Sequence, residues 1–221
     1  MAITSIVLAG GKSTRLGKDK AAELIGGESL LQRVLSRLAT FSTDIILVTA
    51  AGQAKLPDSC SLPSGTRIID DIFPGGGSLG GIYAGLSVSS SLHNLVVACD
   101  MPFLNVSLLQ YLLEVSPPFD AVVPRVRDGF EPLHAVYSKS CIAPIQSLLE
   151  QGNHRIIDFF PQVKVRCVVE EEVNRFDPEH LSVFNINTQD DLNRARRLAL
   201  SDTPLFSKSA NIVAAKRRIH Y

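Results

Sequence analysis

Near the N-terminus the sequence reads Val7-Leu8-Ala9-Gly10-Gly11-Lys12-Ser13-Thr14-Arg15-Leu16-Gly17-Lys18-Asp19-Lys20. The run that leads into it, from Ile3 to Ala9, is largely apolar and predicts a buried strand. Two adjacent glycines after a strand let the backbone turn sharply and approach a ligand closely, because neither has a Cβ. Backbone N–H groups of such a loop can face anionic oxygens, and the basic side chains add positive charge. The stretch therefore predicts a site for a nucleoside triphosphate.

The glycine spacing of this loop matches neither of the two common phosphate-binding motifs. In a P-loop the Lys-Ser or Lys-Thr pair follows the second of two widely separated glycines, whereas Lys12-Ser13 directly follows Gly10-Gly11. The dinucleotide-binding pattern fails as well, because Gly17 lies at the wrong distance. For the loop taken alone, an ordinary glycine-rich turn with solvated charges stays open as the alternative.

Length and composition favour one large domain over two small ones and give no sign of a charged macromolecular partner. The chain has 221 residues, is 45% hydrophobic, and balances 22 basic against 22 acidic residues. This balance offers no electrostatic case for nucleic acid or an anionic membrane. No apolar run reaches the roughly 20 residues of a membrane span, and no basic region of a signal peptide opens the chain. The four cysteines are widely spaced, which favours free thiols and the cytoplasm.

Strand-like and helix-like segments alternate along the chain. Continuous apolar runs at 44–49 and 95–99 are typical of strands covered on both faces. Helical spacing begins after the N-cap candidate Ser29, and further helices are predicted at 82–90, 106–115, 142–151, 154–160 and 189–200. The alternation predicts an open, mostly parallel sheet with helices on both faces. We expect one domain over residues 1–200 and a tail or loosely docked extension over 201–221.

Polar features follow several predicted strands, and ligands of open α/β sheets bind at the carboxyl ends of strands. These features are the loop from Gly10 to Lys20, Asp70-Asp71 with the glycines after it, Asp100, and Asn185 with Asn187. If all of these strands end at one edge of the sheet, the four features would lie together in a single site. Asp100 is the magnesium candidate, because Mg²⁺ bound to a triphosphate takes one or two carboxylates plus phosphate oxygens. Capping of the turn before Pro102 is the alternative role for Asp100.

Other candidate residues carry weaker signals. Lys20 is placed to stabilise charge developing on an α-phosphate, with a solvated lysine as the alternative. An acid after the third strand is a candidate contact for a base or sugar, and spacing does not choose between Asp70 and Asp71. The glycines of 75–81 are expected to let the backbone approach the ligand, or to form a flexible turn. His134 is interpreted as a packed side chain rather than a base.

A series of motifs runs in order along residues 3–198. They are Leu8-Ala9-Gly10-Gly11-x-Ser13-x-Arg15-Leu16-Gly17-x-Asp19-Lys20, Gly77-Ser78-Leu79-Gly80-Gly81-Ile82, Cys99-Asp100-Met101-Pro102-Phe103-Leu104, Pro132-Leu133-x-Ala135-x-Tyr137 and Asn185-Ile186-Asn187-Thr188-x-x-Asp191-Leu192. Together they resemble the molybdenum cofactor guanylyltransferases, the molybdopterin-guanine dinucleotide biosynthesis protein A family. The resemblance implies a Rossmann-like three-layer α/β/α nucleotidyltransferase fold. It also implies an enzyme that transfers GMP from GTP to molybdopterin, with or without molybdenum, and releases pyrophosphate.

The resemblance further implies roles for individual residues. Asp100 would bind Mg²⁺, the expected cofactor, and Arg15, Lys20 and Asp100 form the expected catalytic set. Arg15, Asn185 and Asn187 would serve catalysis or bind the pterin. The nucleotide contacts would be Leu8, Ala9, Gly10, Gly11, Lys20, Asp71, Gly80 and Thr49, the last standing where the family often has Asn. The implied partners are GTP, molybdopterin and other molybdenum-cofactor assembly proteins.

Two other functions stay open at this point. One is a cytidylyltransferase of similar fold that acts on molybdopterin or an isoprenoid phosphate. Such relatives have Leu-Ala-Ala-Gly at the loop, and the molybdopterin ones favour Asp in the late motif, so Gly10, Asn185 and Asn187 favour guanine. The other is a non-catalytic nucleotide-binding protein. The presence of both Lys20 and Asp100 argues against it, because mere binding has less need of both.

Overall fold

The computed structural model describes residues 3–9, 20–52, 60–73 and 75–201, without the side chains of Lys20 and Ser201. Gly10, Gly11 and Arg15 lie outside the described residues, as does the extension predicted beyond residue 201. The strands are β1 (Thr4–Leu8), β2 (Leu24–Ile25), β3 (Glu28–Ser29), β4 (Asp44–Thr49), β5 (Thr66–Asp70), β6 (His93–Ala98), β7 (Ala121–Val126), β8 (Gly129–Phe130), β9 (His134–Ser138) and β10 (Val165–Val168). The α-helices are α1 (Leu30–Leu38), α2 (Gly77–Val88), α3 (Val106–Glu114), α4 (Ile142–Glu150), α5 (Glu170–Val173) and α6 (Gln189–Ser201).

The main sheet has the strand order β10-β7-β9-β6-β1-β4-β5, and β8 pairs with β7 outside this path. Strands β1, β4, β5 and β6 run parallel to one another, as do β7 and β10. Strand β9 is antiparallel to both β6 and β7. The prediction of a mostly parallel sheet is therefore confirmed, with β9 and the short β8 as the reversed strands among the described residues.

Both faces of the central strands are covered, which is why their sequences are continuously apolar. Val7 and Val97 belong to one buried cluster, whereas Ile6 and Ile46 belong to another. Successive side chains of a strand point to opposite faces of the sheet. The two clusters therefore lie on opposite faces, and the fold has the three-layer α/β/α arrangement. No helix in the described ranges combines the length and the apolar character that crossing a membrane requires.

Helix starts follow the capping residues that the sequence offers. The Ser29 hydroxyl accepts a hydrogen bond from the backbone N–H of Gln32 at 3.1 Å, which begins α1. The Asn105 side chain accepts from the N–H of Leu108 at 3.0 Å, which begins α3. At α6 the Thr188 hydroxyl and the carboxylate of Asp191 cap each other's backbone N–H groups. These predicted caps are confirmed, because each satisfies a backbone donor that the first helical turn leaves unpaired.

The predicted start of α2 is wrong: the helix begins at Gly77, inside the glycine stretch, and not at residue 82. Its glycines pack on β1 rather than forming a loose turn. A Cβ built on Gly85 would lie 2.5 Å from Cγ2 of Ile6, and one on Gly81 would lie 3.1 Å from Cδ2 of Leu8. Each helical glycine costs about 1 kcal/mol of propensity. The close contact with the central strand outweighs that cost, and only glycine permits it.

Several smaller elements also differ from the prediction. The helix predicted over 154–160 is a 3₁₀ helix, Ile156–Gln162, that contains Pro161. The short elements β2, β3, β8 and α5 are additional. Strands β7 and β8 form a hairpin whose tip residues, Arg127 and Asp128, have φ values of 50° and 64°. Such positive values are typical of the tight turns that join antiparallel strands.

Candidate active site

The parallel strands β1, β4, β5 and β6 end at one edge of the sheet, and the backbone pairing continues just past them. Three hydrogen bonds extend the ladder: Ala9 N–H to Val48 O at 2.8 Å, Cys99 N–H to Leu8 O at 3.1 Å, and Asp71 N–H to Thr49 O at 2.7 Å. Neighbouring strands lie about 4.8 Å apart, so Asp71 and Asp100 are separated by roughly 14 Å along the edge. The carboxyl edge of these strands therefore forms an elongated candidate site, with Asp71 toward one end and Asp100 toward the other.

Asp100 lies in a segment of the chain that is mostly buried. Every residue from Asn94 to Leu104 is buried except Cys99 and Asp100, which are half-buried. Met101, directly after it, is 1% exposed. The backbone is thus fixed on both sides of the acid, which places its carboxylate at a defined point where β6 leaves the core.

The segment Asn185–Asn187 is joined directly to Asp100. The backbone N–H of Ile186 donates to the carbonyl of Asp100 at 3.1 Å. Ile186 itself is fully buried, in a cluster that includes Phe103 and Leu192. On either side, Asn185 is half-buried and donates to Val183 O at 3.3 Å, whereas Asn187 is exposed. The structure therefore brings together two motifs that are distant in the sequence, and the roles of the two asparagines stay predictions.

The structure distinguishes the two acids after β5. Asp70 is exposed, whereas Asp71 is half-buried and accepts a hydrogen bond from the N–H of Phe73 at 2.9 Å. A Cβ on Gly80 would lie 3.1 Å from both carboxylate oxygens of Asp71. Burial raises the pKa of Asp71, and the hydrogen bond from Phe73 opposes this rise. Because Gly80 has no side chain, the Asp71 carboxylate can pack against the first turn of α2.

Two further predicted nucleotide contacts are well packed. Thr49 is 5% exposed, and its hydroxyl donates to Ile69 O at 3.4 Å and to Asp70 Oδ1 at 3.5 Å. The side chain of Leu8 lies against Gly81. Any nucleotide contact made by these residues therefore depends on their position at the edge of the sheet, and both contacts stay predictions.

His134 is fully buried in β9, with Nε2 located 3.2 Å from the Ser182 hydroxyl. Burial lowers the pKa of His134 to about 3, because the charged imidazolium would lose its hydration. Among the described residues Nδ1 has no hydrogen-bond partner. A neutral, enclosed imidazole agrees with the interpretation of His134 as a packed side chain.

Sequence reasoning missed Glu131, which also lies near this edge. Its N–H donates to Pro124 O at 2.8 Å, and two residues later Leu133 O accepts from Ala98 N–H at 3.2 Å. Burial raises the pKa of Glu131 to about 7, with a smaller opposing effect of Arg127. The sequence signal available for it was its place directly before the Pro132 motif.

The donor set of the edge fits magnesium that arrives with a nucleotide. In the described part of the chain no three His, Cys, Asp or Glu side chains gather into a group that could hold a metal ion. Mg²⁺ is commonly bound through one or two carboxylates together with substrate phosphates, rather than by a cage of protein ligands. A single well-placed acid such as Asp100 meets that requirement.

Comparison with known proteins identifies the family. The model described as the MobA-like NTP transferase domain matches residues 5–165. The chain belongs to this MobA-like family. Asp71, Gly80 and Asp100 lie inside the matched range, whereas the segment Asn185–Asn187 lies beyond it. Membership makes the chain a nucleotidyltransferase, in keeping with the fold and with polar groups gathered at the strand ends.

Individual relatives extend the match over most of the chain. A relative from Pelotomaculum thermopropionicum, described as a probable molybdenum cofactor guanylyltransferase, is 38% identical over 196 residues, covering 89% of this chain and 93% of the relative. Molybdopterin-guanine dinucleotide biosynthesis protein A from Archaeoglobus fulgidus has a TM-score of 0.75 and 28% identity, covering 90% of this chain and 100% of that one. The 2-C-methyl-D-erythritol 4-phosphate cytidylyltransferase from Thermus thermophilus has a TM-score of 0.68 at 19% identity, covering 90% and 99%. That last likeness concerns the fold alone.

Proposed function

We propose that this protein transfers GMP from GTP to molybdopterin, with or without bound molybdenum, and releases pyrophosphate. The observation that carries the proposal is the hydrogen bond from Ile186 N–H to Asp100 O, because it joins the asparagine segment to the magnesium candidate. The sequence match to guanylyltransferases along nearly their full length supports guanine over cytosine. A cytidylyltransferase shares the fold at much lower identity.

We assign the nucleotide and the acceptor to different parts of the sheet edge according to the order of the strands. The nucleotide would lie over β1, β4 and β5, where Asp71 would accept hydrogen bonds from the base or sugar. Its other proposed contacts are Leu8, Ala9, Gly10, Gly11, Lys20, Thr49 and Gly80. The acceptor would approach from the side of Asn185 and Asn187. The reacting phosphates would then meet near Asp100, between the two.

The proposed chemistry is an in-line displacement at phosphorus. An oxygen of the acceptor's phosphate forms a bond to the α-phosphorus of GTP, while the bond from that phosphorus to the bridging oxygen breaks. The bonding electrons leave with pyrophosphate. Such a transfer needs positioning and neutralised charge more than a protein nucleophile. Arg15 and Lys20 would neutralise phosphate charge, and Asp100 would hold Mg²⁺, which supplies further neutralisation when bound.

The setting of the reaction is part of the proposal. None of the four cysteines forms a disulfide, as expected in a reducing compartment, and we place the protein in the cytoplasm. We also include other molybdenum-cofactor assembly proteins among its partners.

The proposal is tested by measuring pyrophosphate release from GTP, CTP and ATP, each with and without molybdopterin. We expect release from GTP only when Mg²⁺ and molybdopterin are both present. Preference for CTP would instead support a cytidylyltransferase. Tight nucleotide binding without any release, under all these conditions, would support a non-catalytic protein and contradict the proposal.

A further inference from the structure

Glu131 and Asp100 lie at the same edge of the sheet, on neighbouring strands. Strand β9 runs antiparallel to β6, and Leu133 O accepts from Ala98 N–H at 3.2 Å. Because the two chains run in opposite directions, Glu131 precedes Leu133 and Asp100 follows Ala98 on the same side of that bond. The hydrogen bond from Glu131 N–H to Pro124 O fixes Glu131 from the other side, against β7.

The carboxylate of Glu131 is half-buried. No hydrogen bond or ion pair reaches it from the described residues, and Arg127 influences it only through charge. A partly desolvated carboxylate without a partner costs free energy, because its lost hydration is not replaced. A ligand with N–H donors would replace that hydration.

The strand order gives this acid a specific place relative to the reaction. Asp71 follows β5, Asp100 follows β6, and Glu131 lies between β9 and β7, in the order β7-β9-β6-β1-β4-β5. Asp100 is therefore flanked by Asp71 on one side and Glu131 on the other. If the phosphates meet at Asp100, the guanine extends toward Asp71 and the acceptor's ring extends toward Glu131.

We propose that Glu131 binds the pterin ring of the acceptor. A 2-amino-4-oxopterin presents an amino group and a ring N–H side by side, and a carboxylate accepts from two such adjacent donors with its two oxygens. Asp71 would meet the same pair of donors on guanine. This inference rests on the proposed function, since it assigns the acceptor side of the same site.

Steady-state kinetics of Glu131→Gln and Glu131→Asp test the inference, with molybdopterin varied at saturating GTP. Glutamine keeps the size of the side chain but loses the second acceptor oxygen and the charge. Aspartate keeps the charge but shortens the reach. Glu114→Gln is the matched control, since Glu114 is exposed at the end of α3, away from the carboxyl edge. Quenching of the fluorescence of plain 2-amino-4-oxopteridine gives a binding readout without turnover.

For Glu131→Gln we expect the KM for molybdopterin to rise about tenfold to a hundredfold, the value of a charge-assisted hydrogen bond. The KM for GTP should stay within about threefold of the wild-type value. For Glu131→Asp the KM for molybdopterin should lie between those of wild type and Glu131→Gln, and for Glu114→Gln both KM values should match wild type. An unchanged KM for molybdopterin, or an equal rise in the KM for GTP, would overturn the inference. Failure of the wild-type protein to release pyrophosphate would instead contradict the proposed function itself.

Discussion

At the residue scale, Asp100 combines a rigid backbone with partial exposure. Met101, directly after it, is buried, and Cys99, directly before it, is half-buried. Its carbonyl oxygen accepts a hydrogen bond from the N–H of Ile186. A side chain held in this way loses little further freedom when it binds a ligand, which favours tight coordination of an ion. Its contribution should therefore be measurable by a substitution that keeps the shape and removes the charge.

We expect Asp100→Asn to lower pyrophosphate release by roughly a hundredfold or more, because metal-assisted neutralisation of phosphate charge is lost. Raised Mg²⁺ concentration should restore part of the activity, since the defect lies in metal affinity. The melting temperature should remain near that of wild type. Asp128→Asn is the control, because Asp128 is a fully exposed acid at the hairpin tip. Undiminished turnover of Asp100→Asn at limiting Mg²⁺ would contradict the metal role.

At the element scale, sequence patterns predicted the elements whose signals lie in their own residues. They missed features that depend on packing between segments that are distant in the sequence. Strand β4 and helix α1 occupy their predicted places, because a continuous apolar run and the Ser29 cap are local signals. The start of α2 could not be predicted, since its glycines disfavour a helix until β1 lies against them. The strand-end rule predicted that Asp100 and Asn185 lie at one edge, but its premise is wrong for Asn185, because no strand leads into that segment in the described part of the chain. The partial burial of Glu131 was not predicted, because the burial of one acid between β7 and β9 leaves no periodic pattern in the sequence.

The contact between α2 and β1 is tested by Gly85→Ala. The added methyl group would overlap Ile6, with only 2.5 Å to Cγ2, so we expect a loss of about 1–3 kcal/mol of unfolding free energy. Ile6→Ala alone should cost about 2–5 kcal/mol through the cavity it leaves. In the double variant the new methyl group fills part of that cavity, so the two losses should not add. Urea denaturation of all four proteins gives the coupling energy, and strict additivity would contradict the packing.

At the scale of the whole molecule, two neighbouring groups, the buried His134 and the half-buried Glu131, give stability opposite dependences on pH. His134 has a folded pKa of about 3, below its ordinary 6.5, so the unfolded chain binds its proton first. Its contribution to stability is present above pH 6.5 and is lost as the pH falls. Glu131 has a folded pKa of about 7, above its ordinary 4.5, so the folded protein retains its proton longer. Its effect favours the folded state as the pH falls from 7 toward 4.5.

The two effects should largely offset each other in the wild-type protein between pH 7 and pH 5, and single variants should separate them. In Glu131→Gln the offset is removed, and His134 should lower the free energy of unfolding by about 2 kcal/mol over this range. In His134→Gln, acidification should instead increase stability relative to the double variant, because only Glu131 remains. Urea denaturation at both pH values, without nucleotide, measures these slopes. Equal slopes for the two single variants would mean that neither group is buried as the structure describes, and the proposed environment of Glu131 beside Asp100 would fail with it.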